Sequence, residues 1–568
     1  MSSAPVEVAA SHDPGPGRFA RSARVRLAVI ATILVYTALA VYQLGKPDLD
    51  ADEGRYGTSA LNILYDYHQI AIVSPDPAGE PWSTWPYMYP LELAGSILLF
   101  GRNELALRLV NVVLMVLTAL CIYQLVALLL KDRTVALLAF GLFLLNPSSI
   151  AYARSAMAEP SVVLWGCAGM VVAAGYRESG RPTLAALSGV ALGLGFLSKL
   201  WLILPFGASV ALLLLSRLPN GKLIKTIRDA AVGFAAFVVV AGSHLLLLRL
   251  LSPENLPIWL ATYFQEAASN RAGGAGYDPA MWYKPWWFYF GALFKGIFFG
   301  LPLVFLGFSD LIRRRGFLVL GCVSWLLGPV FVLSFFKVKE AAYISQAYPA
   351  VALVMACGLL PFLDATRWRG ILLGTLASMA LATFFFAVGV ITGTQFVMML
   401  VLFVIYLAAS PASWPVQSWR KRVAIVAALG TMLLSDALVV QRQLLHRTNY
   451  REVAAYFKPR LGPLQAGKIV FVAPEYAAIS FYLFRQGEYW NTFYMQKTDE
   501  EFRDELRHGD RLFYVFDTTG TLYSGYFKPQ WAPLMAQNTR DVTADIEQAT
   551  GTEKLKLRVR VPITGPQP

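Results

Sequence analysis

Asp52 and Glu53 stand side by side just ahead of a stretch with helical periodicity, in which Tyr56, Ala60, Ile63 and Tyr67 share one stripe. A carboxylate at such a place either caps the helix, where the dipole favours an acid, or takes a proton from an incoming hydroxyl as general base. Glu159 lies directly before Pro160, a pairing suited to a helix start, and five residues after Arg154, with which it can form an ion pair. Lys199 is a lone cation between two apolar runs, costly in lipid unless it snorkels to an interface or meets an anion. Lys337, Lys339 and Tyr343 cluster in 334-SFFKVKEAAYI-344, and Arg271 precedes the Gly-rich stretch 272–278. Acids beside cations suit chemistry on an anionic headgroup: the cations hold a phosphate and a carboxylate removes a proton. Asp52, Glu53 and Glu159 are also hard-cation ligands by type. His68, His244 and His446 are scattered and build no zinc site. The expectation is therefore metal-independent chemistry with no cofactor, a divalent ion being admissible but not favoured.

The elements that must hold these groups are set by hydrophobicity. Of 568 residues, 56% are hydrophobic and 15% charged, where soluble chains average about a quarter charged. Disorder, collagen, a disulfide scaffold and a water-soluble enzyme are excluded. Runs of about 20 apolar residues fall at 27–44, 105–130, 134–150, 160–176, 182–198, 200–216, 229–251, 287–309, 317–336, 343–362, 370–391, 393–410 and 422–441. The predicted fold class is an α-helical polytopic membrane protein of about 13 transmembrane helices with a small C-terminal extracytoplasmic α/β domain. Residues 1–26 form a cytoplasmic tail without regular structure, and 27–441 the membrane domain with outer loops 45–104 and 252–286. Residues 442–568 form the outer domain, with strands at 468–473, 479–484 and 511–517 and a helix at 498–509. No small-residue cleavage site follows 27–44, so this run is an uncleaved first span. Cys121, Cys167, Cys322 and Cys357 all lie in apolar runs and are expected to pack, not to pair.

With the N-terminus cytoplasmic, every short inside loop is basic, from Arg18, Arg21, Arg24 and Arg26 through Lys131 and Arg133 to Arg420, Lys421 and Arg422. Much of the net charge of +13 is thus a topology signal, and no nucleic-acid partner is expected. Asp52, Glu53, Arg154, Glu159, Lys199, Arg271, Lys337 and Lys339 are left together at the outer face of a plasma (inner) membrane, beside the aromatic run 281–290.

An ordered set of motifs resembles the membrane-embedded GT-C glycosyltransferases, and more narrowly the aminoarabinose transferase and protein O-mannosyltransferase group. The motifs are 52-DEGRYG-57, 100-FGRNELALRL-109, 154-RSAMAEP-160, 193-GLGFLSK-199, 285-PWWFYF-290 and 334-SFFKVKEAAYI-344. The resemblance implies a polyprenyl-phosphate-linked sugar as donor, and transfer with inversion to a lipid or envelope-glycan acceptor on the outer face. It implies Asp52 as general base or acceptor-positioning carboxylate, with Arg55 and Tyr56 in the same motif. It places the second acid on Glu159, where relatives usually carry Asp, with Glu53 as a further acidic candidate. It assigns the donor phosphate to Lys199, Lys339, Tyr343 and Arg271, with Arg154 and Lys337 as additional cations. Relatives often have Lys-Pro-Pro where this chain reads 84-TWPYMYPLEL-93; Tyr87 and Tyr89 would replace the missing lysine by hydrogen bonding.

A protein O-glycosyltransferase of the same fold is the alternative within the class. A lipid or solute transporter is the rival outside it, and expects ionisable groups lining a path at mid-span. Within the spans the candidates are few, chiefly Arg249, Lys295 and His244, near span ends or isolated. A catalytically dead scaffold is the third reading. Oligomeric state is not legible.

Overall fold

The computed structural model describes residues 16–65, 74–75, 81–82, 86–216, 223–251, 253, 256–257, 260, 284–314, 316–337, 339–363, 368–389, 391–408, 419–445, 449–459, 470–471, 481–483, 491–492, 500, 514–517, 531–555 and 557–563. Among the described residues, helix runs through most of each apolar segment above. By length and composition, five described helices can cross a membrane: Glu104–Leu130, Leu223–Leu251, Phe288–Ile312, Ala341–Leu359 and Arg369–Ala387. The pair Arg133–Leu144 and Pro147–Ala153, bent by 58°, makes a sixth if counted as one span. Shorter apolar helices fill the bundle between them.

Local signals set the ends of the helices that matter for the site. Helix α1 (Pro16–Val41) starts inside the segment expected to be a structureless tail; Pro16 occupies its first turn, and Ala20 and Ala23 among the arginines favour helix. The 45–104 loop holds α2 (Ala51–Tyr65), the short antiparallel pair β1 (Ser74–Pro75) and β2 (Pro81–Trp82), and α3 (Met88–Phe100). Helix α4 (Glu104–Leu130) is capped by Asn103, whose side chain accepts from the Ala106 amide at 2.8 Å. Helix α5 (Arg133–Leu144) is capped by Asp132 and α6 (Pro147–Ala153) by Asn146. Helix α7 (Glu159–Ser179) has Pro160 in its first turn and ends on Gly180 at φ 69°. Helix α8 (Pro182–Ser198) opens on Pro182 and is ended by the extended Lys199.

Helix α9 (Leu204–Leu215) packs on α7, and α8 lies against α7 and α10 (Leu223–Leu251). Glycine makes the α8–α10 approach possible: a Cβ at Gly189 would collide with the carbonyl oxygen of Gly233. Small residues bringing two backbones together are the usual device between membrane helices, because lipid supplies no hydrophobic drive for their association.

Basic residues from three helix ends meet at one end of this bundle. Lys131 pairs with Glu178, and Lys225 Nζ donates to the Gly180 carbonyl at 3.0 Å. Glu159 begins α7 and Ser179 ends it, about 30 Å apart at 1.5 Å per residue. The candidate site therefore sits at the opposite end from these basic residues.

In the C-terminal region, β5 (Tyr514–Asp517), β6 (Thr539–Asp541) and β7 (Leu557–Pro562) form an antiparallel sheet in the order β5-β7-β6. Helices Trp531–Asn538 and Thr543–Thr550 accompany it. β3 (Val470–Phe471) and β4 (Asn491–Thr492) pair in parallel. Strands fall within the expected 468–473 and 511–517. The expected strand at 479–484 does not: residues 481–483 are helical. Apart from Glu500, the helix expected at 498–509 lies outside the described residues.

Candidate active site

The 45–104 loop is fastened to α4 by the Arg108 guanidinium. Arg108 on α4 donates Nε to Glu53 Oε1 at 2.7 Å and Nη2 to Glu53 Oε2 at 2.6 Å. Its remaining N–H groups go to the carbonyls of Leu44, Pro47 and Asp48 at 2.8–3.0 Å. All five donors of the fork are thus used. Glu53 also accepts from the Ala156 amide at 2.8 Å and the Asp50 amide at 3.1 Å. Burial alone would raise the Glu53 carboxyl, but Arg108 and these amides hold it below the ordinary range. With its acceptor sites filled, Glu53 anchors the loop and has no lone pair left for a substrate proton, against the catalytic role considered for it. Arg108→Leu would strand a buried carboxylate and should cost about 3–5 kcal/mol, seen as a large drop in melting temperature in detergent.

Glu53 and Asp50 close a capping box at the start of α2: the Glu53 amide donates to Asp50 Oδ1 at 2.9 Å. The cap is therefore Asp50, and Asp52 is released from the capping role weighed for it. Asp52 is half-buried, and its Oδ1 accepts from Arg55 Nη1 at 3.2 Å. Tyr56, on the same face of α2, is buried and meets the Tyr89 ring edge-on at 5.0 Å.

Lys199 and Glu159 form a buried ion pair, Nζ to Oε1 2.7 Å, with relative exposures of 4% and 0%. Arg154 does not pair with Glu159. Its guanidinium caps the end of α1, donating to the carbonyls of Leu39, Ala40 and Tyr42 at 2.8–3.2 Å and to Gln443 at 2.9 Å. Glu159 Oε2 is buried and accepts no hydrogen bond among the described residues. The Lys199 ammonium lies 5.0 Å from the centroid of the Tyr343 ring, a cation–π contact. Besides Glu159, it interacts electrostatically with Tyr56, Glu340 and Asp52. Contacts to the ammonium therefore join α7, the end of α8 and Tyr343, with α2 and Glu340 within electrostatic range.

The other expected residues take separate places. Lys339 is buried, and its ammonium donates to the carbonyls of Lys284, at 3.0 Å, and Phe336. The carbonyl of the exposed Lys337 accepts the Lys284 amide at 3.2 Å, so this segment is tied to the start of the aromatic run. Tyr87 shares a hydrogen bond with Ser243 at 2.8 Å and packs on His244 of α10. Arg271 lies outside the described residues. Asp52, Glu53 and Glu159 face separate partners, and among the described residues no three His, Cys, Asp or Glu side chains group to hold a metal ion.

Two acids near the pair are not among the residues expected from the sequence. Glu340 stands inside one of the motifs, masked there by its lysine neighbours. Glu92 on α3 accepts from Ser161 Oγ at 2.9 Å and Trp165 Nε1 at 3.2 Å, and Ser161 contacts Ser198 Oγ at 2.8 Å. Ser161 follows Glu159 by two residues and Ser198 precedes Lys199, so this chain bridges the same two helices as the ion pair. An acid in an otherwise apolar helix is the signal that points to Glu92. Burial pushes the Glu92 carboxyl up to about 7. A raised carboxyl stabilises the fold fully below its unfolded value and loses that contribution as pH rises through about 7. Between about pH 5 and 8, the melting temperature of the wild type should therefore fall more than that of Glu92→Gln; parallel profiles would contradict the assignment.

Residues 82–270 match the family model described as dolichyl-phosphate-mannose-protein mannosyltransferase. The undecaprenyl phosphate-alpha-4-amino-4-deoxy-L-arabinose arabinosyl transferase of Pectobacterium carotovorum subsp. carotovorum is 26% identical over 307 residues, 50% of this chain and 52% of that protein. An enzyme of the same description from Pseudomonas fluorescens is 26% identical over 345 residues, 58% of each. The chain spans about half the length of the curated relatives it matches. The fold extends further. ArnT from Cupriavidus metallidurans, solved bound to undecaprenyl phosphate, superposes with a TM-score of 0.66 over 95% of this chain and 99% of that one, at 15% identity. The oligosaccharyltransferase AglB of Archaeoglobus fulgidus, in complex with an inhibitory peptide and a dolichol-phosphate, gives 0.52 at 12% identity, over 88% and 70%. The chain has a GT-C-like fold and resembles the aminoarabinose transferase group.

Proposed function

We propose that this chain, with its GT-C-like fold, is an integral-membrane glycosyltransferase that moves a sugar from a polyprenyl-phosphate donor to a lipid or envelope-glycan acceptor, with inversion. The observation that carries the reading is the buried Lys199–Glu159 pair set against Tyr343 at one end of the bundle, within electrostatic range of Asp52 and Glu340. The bases of the donor assignment are the lipid phosphates bound by the fold neighbours and the undecaprenyl-phosphate relatives.

Asp52 takes the proton of an acceptor hydroxyl as its oxygen attacks the anomeric carbon, and the anomeric carbon–phosphate oxygen bond breaks. The polyprenyl phosphate that departs needs charge neutralisation more than a proton. Lys199 supplies it, held in place by Glu159 and Tyr343, with Arg271 as a second cation. Lys339 already serves two carbonyls, so its first task is to fix the segment carrying Glu340 and Tyr343. The membrane domain is 27–441, and residues 442–568 are an extracytoplasmic α/β domain. The N-terminus is cytoplasmic and the site faces outward from a plasma (inner) membrane of about 13 spans.

The family match over 82–270 favours a second reading, in which the acceptor hydroxyl belongs to a protein. Purified protein incubated with a panel of polyprenyl-phosphate sugars, and with lipid and peptide acceptors, distinguishes the two by mass spectrometry of the products. Free polyprenyl phosphate should appear together with a glycosylated acceptor. Donor movement between leaflets without phosphate release would establish a transporter instead.

A further inference from the structure

We infer that the chain beyond the last membrane helix is a positioning element for the proposed general base: Phe481 and Tyr482 clamp the back of α2 and thereby fix where Asp52 stands. The inference rests on the reading of Asp52 given above.

Phe481 is 1% exposed, although it lies far along the chain from the loop it touches. Its ring rests on the backbone of α2 at Gly57. A Cβ built there would lie 2.7 Å from Phe481 Cδ2 and 3.0 Å from Leu107 Cδ1, so only glycine fits. Gly57 is five residues after Asp52, about 140° around the helix, whereas Tyr56 shares the Asp52 face. The clamp therefore presses on one side of α2 while the other faces Lys199.

Tyr482 extends the grip to both ends of the loop. Its hydroxyl accepts the Leu49 amide at 3.2 Å, just ahead of α2, and its carbonyl accepts Arg102 Nη2 at 2.6 Å, just ahead of α4. Arg102 in turn lies 5.9 Å from the centre of the Phe481 ring. The same region adds the Asn449 amide donating to Asp48 at 2.9 Å and Arg451 paired with Glu104 at 2.6 Å. Leu49, Tyr56, Ala60, Leu61, Leu107 and Phe481 share one apolar cluster, separate from the main membrane core. A helix seated between α4 and this clamp cannot shift without displacing Phe481. Catalytic geometry is sensitive on this scale, since a misplacement of about 1 Å can cost about 10²-fold in rate.

The test uses the full-length protein and the variants Gly57→Ala, Phe481→Ala and the double variant, with Phe481→Leu replacing Phe481→Ala if the latter fails to fold. Each single change should lower kcat at least about tenfold, by pushing α2 or by letting it move. Affinity for undecaprenyl phosphate should stay within about twofold, because Lys199 and Tyr343 are untouched. The double variant, in which the added methyl occupies space freed by the ring, should recover most of the lost kcat. Wild-type kcat in either single variant, or a double variant no faster than the slower single one, would overturn the clamp. Hydrogen–deuterium exchange tests the clamp without relying on turnover. Amides of α2 should exchange faster in Phe481→Ala and return toward wild type in the double variant; unchanged α2 exchange sinks the inference even if no sugar donor is ever found.

Discussion

Asp52→Asn should fold as the wild type does and transfer sugar about 10²–10⁴-fold more slowly, the range lost when a positioned general base is removed. The helix start does not depend on Asp52, because Asp50 and Glu53 close the capping box between themselves. The bond from Arg55 survives, since the asparagine amide oxygen still accepts from Nη1. Loss of a partly exposed ion pair is worth at most about 1 kcal/mol, so the melting temperature should barely move. What disappears is a basic oxygen close enough to Lys199 to interact with its charge. The loss should fall on kcat, with the KM for donor nearly unchanged, because the phosphate site is built by other residues. Measuring turnover by mass spectrometry at saturating donor separates the two effects. An Asp52→Asn enzyme turning over at wild-type speed would falsify the base assignment, whatever becomes of the fold.

The legibility of these features in the sequence follows the range of the forces that set them. Helices of the bundle are legible because lipid demands long apolar runs, and helix ends are legible because Pro160, Pro182 and Gly180 act locally. Partner choice is not local. Arg154 and Glu159 are near neighbours in the chain, yet Arg154 caps α1 and Glu159 finds Lys199, 40 residues on. Nothing in spacing alone separates these outcomes, because both leave a buried charge satisfied. Glu53 illustrates the same limit: a carboxylate beside Asp52 has the residue type of a catalyst, and only the distant Arg108 fork converts it into a fastening. The segment 479–484 departs from its expected strand for another reason. Its short apolar run carries no period that separates strand from helix, and tertiary packing of Phe481 on Gly57 accompanies the helical turn. β7 does carry a readable pattern, though it is absent from the expected strands: Leu557, Val559 and Val561 alternate with Arg558 and Arg560, the period of a half-buried strand.

Lys199→Met and Glu159→Gln, made singly and together, should separate what the buried pair does for the fold from what it does for the reaction. Each single change leaves an uncompensated charge in a site with relative exposures of 0% and 4%, and should cost about 3–5 kcal/mol of stability. Together they leave no charge to strand, and replacing both ends of a buried pair by neutral groups is often close to neutral. Thermal stability should therefore fall in both single variants and recover in the double one. Activity should not follow. Methionine lies as well against Tyr343 as the lysine stem does but cannot neutralise a departing phosphate, and loss of such a preorganised charge typically costs about 10²–10³ in rate. Affinity for undecaprenyl phosphate should drop in Lys199→Met and stay low in the double variant. Glu159→Gln, which frees the ammonium from its carboxylate, should bind the phosphate at least as tightly as the wild type. A double variant that is both stable and fully active would make the pair a structural fastening, like Arg108 and Glu53, and the donor phosphate would then have to be assigned to other cations.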